Sequence, residues 1–314
     1  MAKGSCRKAF TGALLDAARA DGKIYAVATD SRGSVTLGAF AETLPDQFVE
    51  VGIAEQNAVA ISAGLACCGK RVFVTGPACF LSARSYEQVK VDIAYNRSDV
   101  KVVGVSAGVS YGPLGGTHTA LHDFAGMRSL PQIKVFAPAD AVQTRFLTQY
   151  LAATEGPAYM RMGRGDVEEI YKADESFVIG KAKLVCGGSD VTIIACGEMV
   201  YIAKEAARLL KTQGVSARVL DMFTVKPVDE QAVAGAARET AGILTLEEHS
   251  IFGGLGEAVA HAAAEYSPVP VKIMGFPDEQ YEVGSSAELF RHYGFTPENI
   301  AAEAMKLARG GARG

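Results

Sequence analysis

The chain has 314 residues, of which 49% are apolar and 21% charged, with a formal net charge of −4. That length suggests two domains of ordinary size, with enough apolar residues for two buried cores. The weakly acidic balance excludes a basic field for nucleic acid, and no apolar run reaches the ~18 residues a membrane span needs.

In chain order, the opening MAKGSCRKAF lacks the apolar core of a secretory leader, so a cytoplasmic protein is expected. Residues 7–21 read as an amphipathic helix with Phe10, Leu14 and Leu15 on one side. Ile24–Asp30 is a short apolar strand ending in a polar turn, followed by a helix from Ile53 and a strand over Arg71–Thr75. The alternation continues with helix Leu81–Tyr95, strand Val100–Ser106, a glycine-rich loop at 104–116 and helix His122–Ser129. Strand Ile133–Phe136, helix Ala139–Ala153 and strand Ala158–Arg161 complete the first unit. The pattern loosens over 165–189, and the domain border is expected near 178, giving domains 1–178 and 179–314. The second unit repeats the alternation: strand Val191–Cys196, helix Val200–Thr212, strand Ala217–Leu220, helix Asp229–Arg238, strand Gly242–Leu246, helix Glu257–Glu265 and strand Val269–Met274. The predicted class is α/β, two parallel-sheet three-layer domains with ligand positions at the carboxyl ends of strands. Gly253–Gly256 reads as the turn before a helix, and the tail 305–314 as frayed. The six cysteines, Cys6, Cys67, Cys68, Cys79, Cys186 and Cys196, form no C-x-x-C pair and read as reduced core residues.

One stretch stands out, VGIAEQNAVAISAGLA from Val51 to Ala66. It is apolar on nearly every side, which predicts a buried helix. Glu55 lies in its first turn, where the helix dipole favours a carboxylate. A buried carboxyl so placed can give and take a proton near neutral pH.

This stretch resembles the pyrimidine-binding domain of the thiamine-diphosphate enzymes of the transketolase family. The likeness extends through GGTHTALHDFAGMRSLPQIKVFAPAD, RVLDMFTVKP and LTLEEHSIFGGLGEAV, in order across both units, from about Arg7 to Gly294. It implies the second half of a transketolase, moving a two-carbon ketol unit between phosphorylated sugars with thiamine diphosphate. The family's Mg²⁺ and diphosphate site sits on a Gly-Asp-Gly segment, which this chain does not contain. The resemblance therefore implies a separate N-terminal subunit carrying that site and Mg²⁺, in an α2β2 assembly with the cofactor between chain types.

The resemblance also implies roles residue by residue. Glu55 takes the place of the glutamate that hands a proton to the aminopyrimidine ring. The ring-stacking aromatic falls on Leu81 by the transketolase spacing and on Phe80 by the deoxyxylulose-phosphate synthase spacing. Asp30 matches an aspartate near the thiazolium ring. Arg7, Ser34 and Arg164 match residues that hold a sugar phosphate, with Arg161 a nearby alternative to Arg164, and two guanidinium forks with a hydroxyl suit that task. His118 matches a substrate-contacting histidine with no metal implied. Two positions depart from the pattern: Leu114 stands where transketolases carry an aspartate that judges the donor's hydroxyl, and Ser106 replaces a substrate-contacting histidine. Ala107 likewise replaces the arginine expected in deoxyxylulose-phosphate synthases. The expected donor is thus one that presents no correctly placed hydroxyl at this wall, or a branched or otherwise altered sugar, handled with looser stereoselectivity. The alternatives are a deoxyxylulose-phosphate synthase-like or 2-oxoacid dehydrogenase β-like subunit and, in another class, a non-catalytic partner.

Overall fold

The valine-rich run Val100–Val105 is buried at every position, as a strand covered by helices on both faces must be. In the computed structural model, which describes residues 3–310, it forms the middle of a seven-stranded sheet. The order is Thr224–Lys226, Lys134–Phe136, Ala158–Met162, Val100–Val105, Arg71–Pro77, Ile24–Ala28 and Phe48–Glu50. All neighbours are parallel except the edge strand Thr224–Lys226, which comes from the second half of the chain and runs antiparallel to Lys134–Phe136. A second, five-stranded sheet has the order Val271–Phe276, Ile243–Ser250, Val191–Ala195, Ala217–Asp221 and Lys183–Cys186, with only the last strand antiparallel. The predicted class, α/β with two parallel sheets, is the one found. Among the described residues no helix is long and apolar enough to cross a membrane.

A small ladder matters more than its size suggests. Lys3–Ser5 runs antiparallel to Asp166–Glu168, with Ser5 opposite Asp166. Ser5 also caps helix Cys6–Ala20 through the Lys8 amide. The pairing brings the start of that helix, with Arg7, beside the segment that carries Arg164.

Several expectations need correction. The helix expected over Leu81–Tyr95 is three pieces: Ala78–Ala83, Tyr86–Gln88 and a wide-turned Val89–Tyr95. The Ser85 hydroxyl donates to the Leu81 carbonyl at 2.7 Å, and such back-bonding competes with a regular helix ladder. Helix Glu55–Cys67 is not buried all round: Ala60, Gly64 and Cys67 face solvent, beside Ile53 at 77% exposure. An apolar pattern states what a helix can bury, and a single chain does not cover this face. For the same reason Cys67 and Cys68 are exposed and Cys186 is half-buried, whereas Cys6, Cys79 and Cys196 are core residues as expected. The tail expected to fray from 305 is instead helical through Gly310, in Pro297–Gly310 with Met305 buried; its last residues lie outside those described.

Candidate active site

Glu55 is the first residue of helix Glu55–Cys67 and is only 6% exposed. Its two oxygens accept hydrogen bonds from Arg84 Nη1 at 3.2 and 3.3 Å. The Arg84 guanidinium lies 3.9 Å above the Phe80 ring, a cation–π contact. With Ile53, Ala54, Gln56, Asn57 and Arg84, Glu55 lines a cavity of about 590 Å³. Arg84 is half-exposed, so this ion pair is held weakly, worth about 1 kcal/mol or less, and a ligand can displace it.

Phe80 and Leu81 separate cleanly. Leu81 is fully buried in the core and packs on Gly76, where a Cβ would stand 3.2 Å from its Cγ. It offers no surface to a ligand. Phe80 is half-exposed and meets the His118 ring edge-on at 5.2 Å. His118 Nδ1 is 2.9 Å from the Thr117 hydroxyl, and its ring stands 5.9 Å from that of Tyr111.

Tyr111 links this wall to the arginines. Arg164 Nη1 donates to its hydroxyl at 2.7 Å, and the guanidinium stands 5.0 Å from its ring centre. Arg7 Nη1 donates to the Ser34 carbonyl at 2.7 Å. Among the described residues, Arg7 Nε is buried without a hydrogen-bond partner. Burial first, and then the charge of Arg164, push the Arg7 pKa below its ordinary value. The charges of Tyr111 and Asp166 act in the opposite sense, and two guanidiniums with one buried donor left open among the described residues can take up an anion.

The remaining candidates are distributed around this line. Leu114 lies on the turn Gly112–Thr117 and is 55% exposed. Asp30 is exposed at the end of strand Ile24–Ala28, with φ of 52° and its amide donating to Glu50 Oε1 at 2.6 Å. Among the described residues no hydrogen bond or ion pair joins it to the arginines or to Glu55. Ser106 is buried, also with positive φ of 59°. Arg161, the alternative to Arg164, is committed elsewhere. It is buried, donating to Asp123 Oδ1 at 2.8 Å and to the Glu248 carbonyl at 2.8 Å, over the Phe124 ring at 3.9 Å. Sequence reasoning missed Tyr111 and Arg84. Arg84 sits four residues after Phe80, a helical spacing that could have flagged it; nothing in the sequence pairs Tyr111 with Arg164.

Residues 2–169 match the family described as transketolase, pyrimidine binding domain, and residues 180–300 match transketolase, C-terminal domain. The chain is 54% identical over 306 residues to a subunit of the apulose-4-phosphate transketolase of Phocaeicola vulgatus, covering 97% of this chain and 98% of that one. It is 37% identical to the 6-deoxy-6-sulfo-D-fructose transketolase subunit SqwH of a Clostridium species, over 96% of this chain and 94% of that one. A solved structure described as a split gene transketolase, inactive beta4 tetramer, superposes with a TM-score of 0.89 at 37% identity, covering 98% and 99% of the two chains.

Proposed function

The chain belongs to the transketolase family, as one of the two subunits of the split kind, and we propose that with its partner it takes a two-carbon ketol unit from apulose 4-phosphate. The observation that carries the sugar-phosphate part is the open anion site: Arg7 with its unpartnered buried Nε, Arg164 beside it, and Ser34 at the rim. Support for the donor comes from the 54% identical relative and from Leu114. A leucine offers contact and volume but no hydrogen bond. A branched ketose carries carbon where a linear one carries hydrogen, and an apolar wall accommodates it. A wall built to bond a hydroxyl would instead reject analogues lacking it.

Thiamine diphosphate, the family's cofactor, supplies the carbon nucleophile that opens the bond beside the ketose carbonyl. The donor set fits its pyrimidine end: a buried carboxyl, a half-exposed aromatic face and an adjoining cavity of about 590 Å³. In this reading Glu55 holds and releases the proton on the ring side, leaving Arg84 when it does so. Phe80, rather than Leu81, gives the ring a face. Asp30 borders the other end of the cofactor. Arg7, Ser34 and Arg164 hold the phosphate of the sugar, and Tyr111 keeps the Arg164 fork oriented. His118 donates or accepts at the sugar's hydroxyls. The diphosphate and Mg²⁺ fall to the partner chain, consistent with the missing Gly-Asp-Gly. We assign an α2β2 assembly, which would cover the exposed face of helix Glu55–Cys67 and Tyr95, itself 79% exposed. We set the domain border at 178 and the location as cytoplasmic.

The test is a donor panel on the pair of subunits: apulose 4-phosphate, 6-deoxy-6-sulfofructose and xylulose 5-phosphate, each with a common aldehyde acceptor. Apulose 4-phosphate should give the highest kcat/KM. A preference for the sulfonated sugar would keep the anion site and overturn the donor. A preference for xylulose 5-phosphate would make the enzyme an ordinary transketolase.

A further inference from the structure

The substrate residues of the first domain are held in place by the second. Gly108, with φ of +60°, lies against Glu248: a Cβ there would stand 2.1 Å from its carboxyl carbon. Glu248 Oε1 accepts the Val109 amide at 2.8 Å, and Ser286 Oγ donates to the Val109 carbonyl at 3.0 Å. This is the start of the loop that carries Tyr111, Leu114 and His118. Gly163, immediately before Arg164, lies against Glu198 in the same way. A Cβ there would stand 1.6 Å from Glu198 Oε1. Two carboxyls of the second domain thus press on the two backbones that bear the clamp.

Their surroundings are short of positive charge. Arg161 is the cation acting on both, and it already bonds Asp123 Oδ1 at 2.8 Å. Asp123 Oδ2 accepts the Tyr159 hydroxyl at 2.7 Å, and Cys196 lies buried close by. Neutral His249 adds no charge: the Ala125 amide points to its Nε2 at 3.4 Å while Nδ1 lies 2.8 Å from the Ser250 carbonyl. The neighbouring Glu247 turns away to the Leu255 and Gly256 amides. One guanidinium cannot neutralise Asp123, Glu198 and Glu248 together; Asp123 and Glu248 are buried and Glu198 is half-buried, so protonation relieves the charge most at Glu248.

We infer that Glu198 and Glu248 are positioning residues for the sugar-phosphate site, two carboxyls that fix the Tyr111–His118 loop and Arg164 from the second domain. The inference rests on the proposed substrate site. Burial, with the like charge of Glu198 contributing, raises Glu248 to about 8, and the half-buried Glu198 is raised in the same direction. A carboxyl raised on folding contributes stability that is complete below its ordinary pKa and lost as pH rises through the folded value. The pair therefore holds below about 7 and loosens through about 8.

The experiment compares wild type, Glu248→Gln and Glu198→Gln at about pH 6 and about pH 9, on either side of the pair's titration. Glutamine keeps the shape and the acceptor for the Val109 amide but cannot ionise. In the wild-type pair of subunits, KM for the phosphorylated donor should rise about tenfold at the higher pH while kcat moves less, the worth of one charged hydrogen bond misplaced. Both variants should keep the low-pH KM and lose most of the rise. The second readout is hydrogen exchange by mass spectrometry over 108–118 in the full chain alone, corrected for intrinsic rates. Wild type should lose protection at the higher pH, and the variants should not. This arm needs neither substrate nor cofactor, so it stands if the donor assignment fails. Matching pH profiles of KM and exchange in wild type and both variants would overturn the inference; if one variant does not fold, the other decides.

Discussion

Removing Arg164 probes the anion site where its geometry is most constrained. In Arg164→Ala the fork that donates to the Tyr111 hydroxyl at 2.7 Å disappears, and so does the charge that weighs on Arg7. The two consequences have opposite signs. In the free protein, relief of the repulsion offsets the lost Tyr111 hydrogen bond, so stability should shift by about 1 kcal/mol or less. With phosphate bound, one charge-assisted partner is gone, worth about 1.5–3 kcal/mol, or about a 10- to 150-fold rise in KM. Arg164→Lys should fall between, since an ammonium keeps charge but not the fork. The assay is steady-state kinetics of the two-subunit enzyme on a phosphorylated donor and on a short unphosphorylated ketose, alongside inhibition by inorganic phosphate. KM should rise only for the phosphorylated donor, and phosphate should inhibit the variant less. Equal losses on both donors with unchanged phosphate inhibition would refute the reasoning and leave Arg164 a structural residue.

Leu114→Asp should improve xylulose 5-phosphate relative to the branched donor; an unchanged ranking on a donor panel would mean that Leu114, 55% exposed, does not face the sugar. Phe80→Ala should weaken binding of thiamine diphosphate to the assembled pair with little effect on thermal unfolding. Leu81→Ala, in a fully buried position, should instead cost about 2–5 kcal/mol of stability; the reverse pattern would exchange their roles. Asp221 accepts from Tyr171 Oη at 2.7 Å and Gln143 Nε2 at 2.8 Å, and burial raises its pKa from 3.8 to about 7. Its contribution is thus lost as pH climbs through about 7, and Asp221→Asn should flatten the fall in stability between about pH 6 and about pH 8.5 by about 1.4 kcal/mol. Urea unfolding at the two pH values checks this, and an equal fall in both proteins would show that Asp221 stays ionised.

The sheets were legible in the sequence because buried parallel strands read as short apolar runs, Val100–Val105 and Val191–Ala195 being the clearest. Edge pieces were not. Lys3–Ser5, Asp166–Glu168 and Thr224–Lys226 are three residues each and carry no periodicity; pairing across the chain makes them strands. That is also why Arg7 and Arg164, far apart in sequence, are joined by family likeness before geometry explains their meeting. Helix Ser286–His292 could have been found from its capping box, Ser285 with Glu288. Arg161 and Arg164 are indistinguishable in the run RMGRG, because burial against Asp123, which separates them, depends on a helix from elsewhere in the chain. The exposed cysteines misled because an apolar run states what a segment can bury, not what packs against it, and Cys67 and Cys68 stay exposed.

In the proposed function this chain supplies the acid, Glu55, to a cofactor whose diphosphate and Mg²⁺ the partner subunit holds. Exchange of the C2 hydrogen of thiamine diphosphate for deuterium tests it most directly, measured with Mg²⁺ for the lone chain, for the chain with its partner subunit, and for Glu55→Gln with the partner. The lone chain should leave exchange at the rate of the free cofactor, the pair should accelerate it, and Glu55→Gln should slow the pair by roughly two orders of magnitude or more, the usual worth of acid–base catalysis. Rapid exchange by the lone chain would mean that it holds the cofactor unaided, and an unchanged rate in the Glu55→Gln pair would mean that another group supplies the acid.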